Sequence, residues 1–304
     1  MTTGSLRRRL VAASALVLTG ALALSACGDS DDSGDSGGSA ATNTSVDSKL
    51  AAMVPDAIKS DGKISIGTDA SYPPNESVDP ASQKIVGWDV DLFTAVAGKL
   101  GLKTEFQNAG FDTIIPGVQS GKYEIGVSSF TDNKEREKAV DFVTYYSAGT
   151  SWAALKGNPD GVTPDNACGK SIGVQHGTVQ VQDLEARSKK CTDAGKPAIK
   201  TVVRNQQTEV TNDLVAGKVQ AMAADSPIAG YAVKQTGGKL ELIGEVYDTA
   251  PYGFIFKKEN GQFKEAVQGA VKALITDGTY KQILEKYGVE SGAITDPAIN
   301  AAQS

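Results

Sequence analysis

Between residues 63 and 225 the hydrophobic period switches from that of a strand to that of a helix and back, twice over in the same order. Residues 63–67 (KISIG) alternate with period two. Residues 90–100 set Leu92, Phe93, Val96, Ala97 and Leu100 at helical spacing, and Gly101 ends the run. Residues 103–107 read as a strand, 111–119 as a helix carrying Ile114, Ile115 and Val118, and 123–127 as a short strand. A second series follows: strand 171–174, helix 178–189, strand 199–203, helix 209–216, strand 220–223. Helices 262–275 and 280–287, split by Asp277-Gly278, close the chain. This pattern predicts an α/β fold of two doubly wound lobes. Ligands of such open sheets sit beyond the carboxyl ends of the strands, so the natural site is the cleft between lobes.

Each predicted strand ends in polar chemistry. Thr68-Asp69-Ala70-Ser71-Tyr72-Pro73-Pro74 follows the first, and Ser128-Ser129-Phe130-Thr131 with Lys134-Glu135-Arg136 follows the third. Gln175-His176-Gly177-Thr178 opens a helix after Val174, and Ala224-Asp225-Ser226-Pro227 follows Ala223. An arginine, carboxylates, hydroxyls and a helix amino-terminus form the inventory for a zwitterion. A carboxylate wants a bidentate guanidinium and helix-start N–H groups. An ammonium wants a fixed carboxylate, and an aromatic such as Tyr72 covers an aliphatic stem.

Plainer readings stand beside these. The run at 134–138 has the look of a solvated helix face, although Arg136 lies just past a strand end. Asp225 reads equally as a cap for the helix starting near Pro227. Tyr72 before two prolines suits turn packing, and Trp88 and Phe111 suit the core. Asp89 and Asp91 suit a helix cap and a first-turn charge. His176, the sole histidine, has no matching metal ligands and no nucleophile to pair with, so no metal and no cofactor are expected. A net charge of −6 without a basic cluster beyond the first segment excludes nucleic acid as a partner.

The amino-terminal segment sets the compartment. Arg7, Arg8 and Arg9 precede an apolar run from Leu10 to Leu24, which is about 15 residues and too short to span a bilayer. Leu24-Ser25-Ala26-Cys27 closes it and resembles the bacterial lipobox. That resemblance implies cleavage after residue 26, a diacylglyceryl group on Cys27, and an outer-face membrane anchor. Residues 28–48 are Gly, Ser, Asp, Ala and Thr with almost nothing to bury; with Cys27 and the residues up to 60 they are expected to be a flexible tether, 27–60. Its aspartates lack the spacing of a calcium loop. With Cys27 lipidated, Cys168 and Cys191 remain as a pair, and an oxidising exterior favours a disulfide between them.

Over residues 61–288 the chain resembles the polar amino-acid class of solute-binding proteins of ABC importers. The signposts are Gly67-Thr68-Asp69, Tyr72-Pro73-Pro74, Gly87-Trp88-Asp89-Val90-Asp91, Phe111-Asp112 with Ile115-Pro116, and Gln119-Ser120-Gly121-Lys122. Glu135-Arg136, Val140-Asp141-Phe142, Gly177-Thr178, Asp225-Ser226-Pro227 and Asp277-Gly278-Thr279-Tyr280 continue the series. The resemblance implies a type II periplasmic-binding fold with a two-strand hinge. Lobe I would comprise 61–147 and 248–304, and lobe II 148–247. It also implies roles. Arg136 and Thr178 would hold the ligand α-carboxylate and Asp225 the α-ammonium. Ser128, Ser129 and Thr131 would add hydrogen bonds, and Tyr72 and Phe111 would sandwich the stem. Asp69, with Glu76 and Asp89 nearby, would face the distal end, and Gln175 would tune selectivity.

Asn75, Trp88 and Val179 depart from the family's commoner residues and leave that clamp intact. A carboxylate at Asp69 favours a cationic or amide side chain: arginine, lysine or glutamine. The expected partners are a free amino acid and an importer permease, with the chain a monomer that is not an enzyme. Two alternatives stay open. One is a cyclohexadienyl-dehydratase-like enzyme with Glu76 or Asp69 as general acid. The other is a ligand sensor acting through a receptor.

Overall fold

The structure is a computed structural model and describes residues 44–303. The first elements are α1 (Ser48–Ala52) and α2 (Asp56–Asp61), so the last part of the segment expected as tether, 27–60, is helical instead. Leu50, Val54 and Ile58 recur every fourth residue; Val54 and Ile58 are buried in the main core and Leu50 packs against it. Asp47 caps α1, its carboxylate accepting from the N–H groups of Lys49 and Leu50. Cys27 and the segment 1–26 expected as a signal peptide lie outside the described residues.

Next come β1 (Lys63–Thr68), the small antiparallel meander β2 (Ser71–Tyr72), β3 (Glu76–Val78) and β4 (Ile85–Val86), and α3 (Trp88–Lys99). Then follow β5 (Lys103–Asn108), α4 (Phe111–Ser120), β6 (Ile125–Thr131) and the short α5 (Lys134–Glu137). β1 pairs in parallel with β5 on one side and β6 on the other. The strand expected to end at Val127 runs on to Thr131, because Phe130 and Thr131 pair with Gly253 and Tyr252.

The chain then makes β7 (Val140–Leu155), β8 (Ser171–Gln175), α6 (Val179–Asp193), β9 (Lys200–Arg204), α7 (Gln207–Val215), β10 (Ala221–Asp225) and α8 (Ser226–Gln235). It returns along β11 (Leu240–Lys257) and ends in α9 (Phe263–Thr276) and α10 (Thr279–Tyr287). One sheet has the order β5-β1-β6-β11-β7-β10-β8-β9. β7 and β11 run antiparallel over their whole length, from Val140 against Lys257 to Leu155 against Leu240. One end of this ribbon joins β6 and the other joins β10. Its pairing is irregular between Ile243 and Ala250, where Asp248 takes φ +50°.

Apolar packing follows the same division. On one side α3, α9 and α10 cover β1, β6 and the near ends of β7 and β11, with Tyr145 stacked on Phe254 at 4.0 Å and Trp88 against Tyr146 at 4.7 Å. On the other side Trp152, Ile172, Val174 and Leu184 form one cluster and Val210, Leu214, Met222 and Leu240 another. The carboxyl-terminal residues lie along β7: Ile299 bridges to Val143, and Asn300 serves both Phe142 and Asp141.

Cys168 and Cys191 are bridged, with Cα atoms 5.6 Å apart, tying the loop before β8 to the last turns of α6. Closing about 24 residues restricts the unfolded chain by roughly 3 kcal/mol on the chain-entropy model. Replacing both cysteines by serine is therefore expected to lower the unfolding free energy by about 3 kcal/mol. Denaturant melts with unchanged slope would show it, and an unshifted midpoint would refute it.

Candidate functional site

The carboxyl ends of β1, β6, β8 and β10 converge where the two halves of the sheet meet. Just past β1, Asp69 folds its carboxylate back onto the Ser71 N–H at 3.1 Å, a local Asx turn. Its other oxygen accepts from the Phe111 N–H at 3.0 Å and from Gln175 Nε2 at 2.7 Å. Phe111 begins α4 and Gln175 ends β8, so Asp69 joins residues from both halves. Burial pushes its carboxyl above the usual range, and these hydrogen bonds pull it partly back. Gln175 also donates to the Asn205 carbonyl, while its own Oε1 is buried with no partner. That leaves an acceptor beside a carboxylate, a setting for a multi-donor group.

Asp225 occupies the other end. It stands at the N-cap position of α8, but its side chain makes no capping bond. Oδ2 instead accepts from the Tyr72 hydroxyl at 2.9 Å and the Tyr252 hydroxyl at 2.6 Å, and Oδ1 from Gln180 Nε2 at 2.7 Å. Of the two sequence readings of Asp225, the cap is thus set aside. Tyr72 gives its hydroxyl to Asp225. Phe111 stacks on Phe130 at 4.6 Å, with the Arg136 guanidinium 5.4 Å from the Phe111 ring.

Arg136 is held by the cap of its own short helix, Asn133 accepting from its N–H at 2.8 Å. The guanidinium donates to the Thr131 carbonyl at 2.9 Å and, across the division, to the Gly177 carbonyl at 3.0 Å. Burial lowers its pKa to about 10, opposed by the charge of Asp225. Thr178 precedes α6 and turns its hydroxyl to the Gln175 carbonyl at 2.8 Å, so no side chain caps that helix. The first N–H groups of α6 therefore stand beside Arg136 as a second anion-binding element. His176 is half-exposed, 3.4 Å from Asp112.

Glu76, Ser128 and Ser129 form a buried layer beneath. Ser128 Oγ donates to Glu76 at 3.0 Å and accepts from the Asp69 N–H at 3.0 Å. Ser129 lies between Glu76, Asp89 and Asn75. Asp89 takes the Ser129 N–H at 3.0 Å and the Tyr145 hydroxyl at 2.8 Å. Burial and the neighbouring Asp89 push the Glu76 carboxyl well up, and burial raises Asp89 to about 6. Asn75, between Ser129 and Trp88 Nε1, is fully buried. Its loop seats on Gly87, where φ is +145° and a Cβ would fall 2.0 Å from the Asn75 carbonyl oxygen.

The structure thus gathers Asp69, Tyr72, Phe111, Arg136, Gln175, Thr178 and Asp225 around one division, with Thr131 contributing a carbonyl. Glu76, Ser128 and Ser129 support them from below. Sequence reading missed Gln180, Tyr252 and Tyr145. Gln180 had a local signal, two residues past Thr178 at a helix start; the tyrosines arrive from distant strands. Among the described residues, Asp69, Asp225 and Arg136 take part in no ion pair. Two carboxylates against one guanidinium leave the cleft one negative charge out of balance. Also among the described residues, no cluster of three metal-ligating side chains occurs, and no helix is long and apolar enough to cross a membrane.

A sequence profile of the bacterial extracellular solute-binding proteins, family 3, matches residues 64–290. The arginine-binding protein ArgT of Corynebacterium glutamicum is 33% identical over 294 residues, 96% of this chain and 96% of that protein. Among solved structures, an ancestral arginine-binding protein bound to arginine is 36% identical, with a TM-score of 0.69 over 74% of this chain and 98% of that one. An ancestral amino acid-binding protein, a precursor of cyclohexadienyl dehydratase, is 31% identical, with a TM-score of 0.69 over 79% of this chain and 99% of that one. With its split cleft, its ribbon of two long strands and a profile match across most of its length, the chain belongs to family 3 of the bacterial extracellular solute-binding proteins.

Proposed function

We propose that this protein captures a cationic amino acid, arginine or lysine ahead of glutamine, between its lobes and delivers it to the permease of an ABC importer. The observation that carries the reading is the pair of buried carboxylates, Asp69 and Asp225, lining the same division as a single guanidinium, Arg136, with none of the three in an ion pair among the described residues. An amino acid of net charge +1 supplies the missing balance. Its carboxylate goes to Arg136 and the start of α6, its ammonium to Asp225, and its side-chain donors to Asp69 and the unpartnered Gln175 Oε1. The arginine-binding relatives support the same choice.

Lobe I comprises 61–147 and 248–304 and lobe II 148–247 in this proposal, with the irregular pairing of β7 and β11 near Ala148 and Tyr247 as the hinge. Contacts from Asp69, Tyr72 and Arg136 on one lobe to Gln175, Asp225 and Gly177 on the other make the closed form the one a ligand stabilises. The closed chain acts as a monomer, carried at the outer face of the membrane by a lipid on Cys27. Against catalysis, of the two candidate general acids Glu76 is fully buried under Ser128 and Ser129, and Asp69 is engaged by Ser71, Phe111 and Gln175.

Calorimetric titration of the refolded protein against the common amino acids tests this reading. Arginine or lysine is expected to bind at micromolar concentration or below, and glutamine more weakly. Heat from no amino acid, or turnover of prephenate or arogenate followed by absorbance, would overturn it.

A further inference from the structure

Asp225 accepts from three buried side-chain donors, Tyr72, Tyr252 and Gln180, and two of those donors have no role in the binding scheme so far. An aspartate at an N-cap ordinarily bonds to its own helix. This one, with φ −64° and ψ 149°, turns away from α8 altogether. Gln180, on the first turn of α6, donates to Oδ1 at 2.7 Å and also reaches the Thr150 hydroxyl on β7 at 3.1 Å. Tyr252, on β11, donates to Oδ2 at 2.6 Å. Its ring is set between Tyr146, at 5.7 Å, and Tyr145, at 6.3 Å, which fixes its hydroxyl within its own lobe. All four residues are buried: Tyr252 and Gln180 are 1% exposed, Thr150 4% and Asp225 7%. Tyr72 and Tyr252 both reach Oδ2 from the lobe that holds β1 and β6, so both bonds form as the lobes close, whereas Gln180 and Thr150 belong to the lobe of Asp225 itself.

We propose that Tyr252 and Gln180 are positioning residues for ammonium recognition: Gln180, tied to Thr150 on β7, holds the Asp225 carboxylate from its own lobe, and Tyr252 on β11 completes that orientation in the closed form. This rests on the assignment of the ligand ammonium to Asp225. A carboxylate prearranged by buried donors spends little of the ligand's binding energy on ordering itself. In the closed form the group meeting the ammonium is thus tied to both strands of the ribbon about which the lobes move.

Protonation adds a readout. Burial pushes the Asp225 carboxyl up, and the hydrogen bonds from Tyr252, Tyr72 and Gln180, with the charge of Arg136, hold it down. These are the titratable and charged groups that face it, with Tyr145 behind Tyr252. Losing the Tyr252 hydroxyl raises the carboxyl further. A neutral Asp225 does not hold an ammonium, so the acid limb of the affinity profile moves to higher pH.

The test compares the full-length refolded chain with Tyr252→Phe and Gln180→Met. The probes are L-arginine and 5-guanidinopentanoate, which keeps the carboxylate and guanidinium but lacks the α-ammonium. Each variant is expected to bind arginine about tenfold more weakly, with the acid limb of Kd displaced upward, while 5-guanidinopentanoate binds as it does to the unaltered chain. Equal weakening of both ligands would mark a merely structural role and overturn the proposal, as would unchanged arginine affinity with an unmoved acid limb. Failure of the unaltered chain to bind any amino acid would overturn the parent reading, and this one with it.

Discussion

Arg136→Ala is expected to weaken amino-acid binding by about 10²- to 10³-fold while leaving the fold intact. Removing one partner of a desolvated, hydrogen-bonded charge pair costs about 2–5 kcal/mol, and each 1.4 kcal/mol is about a tenfold change in Kd. Two features place Arg136 at that end of the range. Its side chain hydrogen-bonds only to carbonyls, of Thr131 and Gly177, and forms no ion pair with a carboxylate among the described residues. It also lies against the stacked Phe111 and Phe130 rings, where water screens little. The fold should survive, because α5 is a four-residue helix capped by Asn133, and that bond uses the Arg136 backbone rather than its guanidinium. Circular dichroism and a cooperative melt check the fold, and titration checks the binding. Undiminished affinity in a folded variant would remove Arg136 from the site. Arg136→Lys restores the charge without the planar fork and should recover only part of the loss.

Asp69→Asn should change selectivity more than affinity. A hydrogen bond to a charged group is worth about 1.5–3 kcal/mol, so the ratio of arginine to glutamine affinity is expected to fall about 10- to 100-fold. The ratio is the proper readout, because the substitution also disturbs the Ser71, Phe111 and Gln175 bonds, and that disturbance acts on both ligands. The pH dependence agrees in sign. Burial raises the Asp69 carboxyl, so acidification neutralises it before an exposed aspartate would change. Arginine affinity should therefore decline as pH falls from neutrality, and the Asp69→Asn variant should lose that part of the decline. An unchanged arginine-to-glutamine ratio would mean that the distal end of the ligand lies elsewhere.

Both variants concern residues visible in the sequence for a local reason. Asp69, Arg136, Gln175 and Asp225 each follow an apolar alternation that breaks into polar residues, and in an open α/β sheet those breaks fall on one edge. The residues that orient them were not visible. Tyr252 lies in a run that pairs with β6 and β7 only through long-range register, and Trp88 meets Asn75 through a loop whose seat on Gly87 is tertiary. Strand ends failed for the same reason: Thr131 and Asp225 are in strands because Tyr252 and Thr150 lie opposite them. The helices at 48–61 are not legible behind the polar run 28–48, because neither is long enough to be stable alone. What holds them is contact with the core, such as Leu50 against Gly269 of α9.

A crystal structure with L-arginine tests the central assignment most directly. The account requires the ligand carboxylate on Arg136 and the start of α6, the ammonium on Asp225, and the guanidinium on Asp69 and Gln175. Arginine bound in the reverse sense, with its guanidinium on Asp225, or bound away from the division between the lobes, would contradict it.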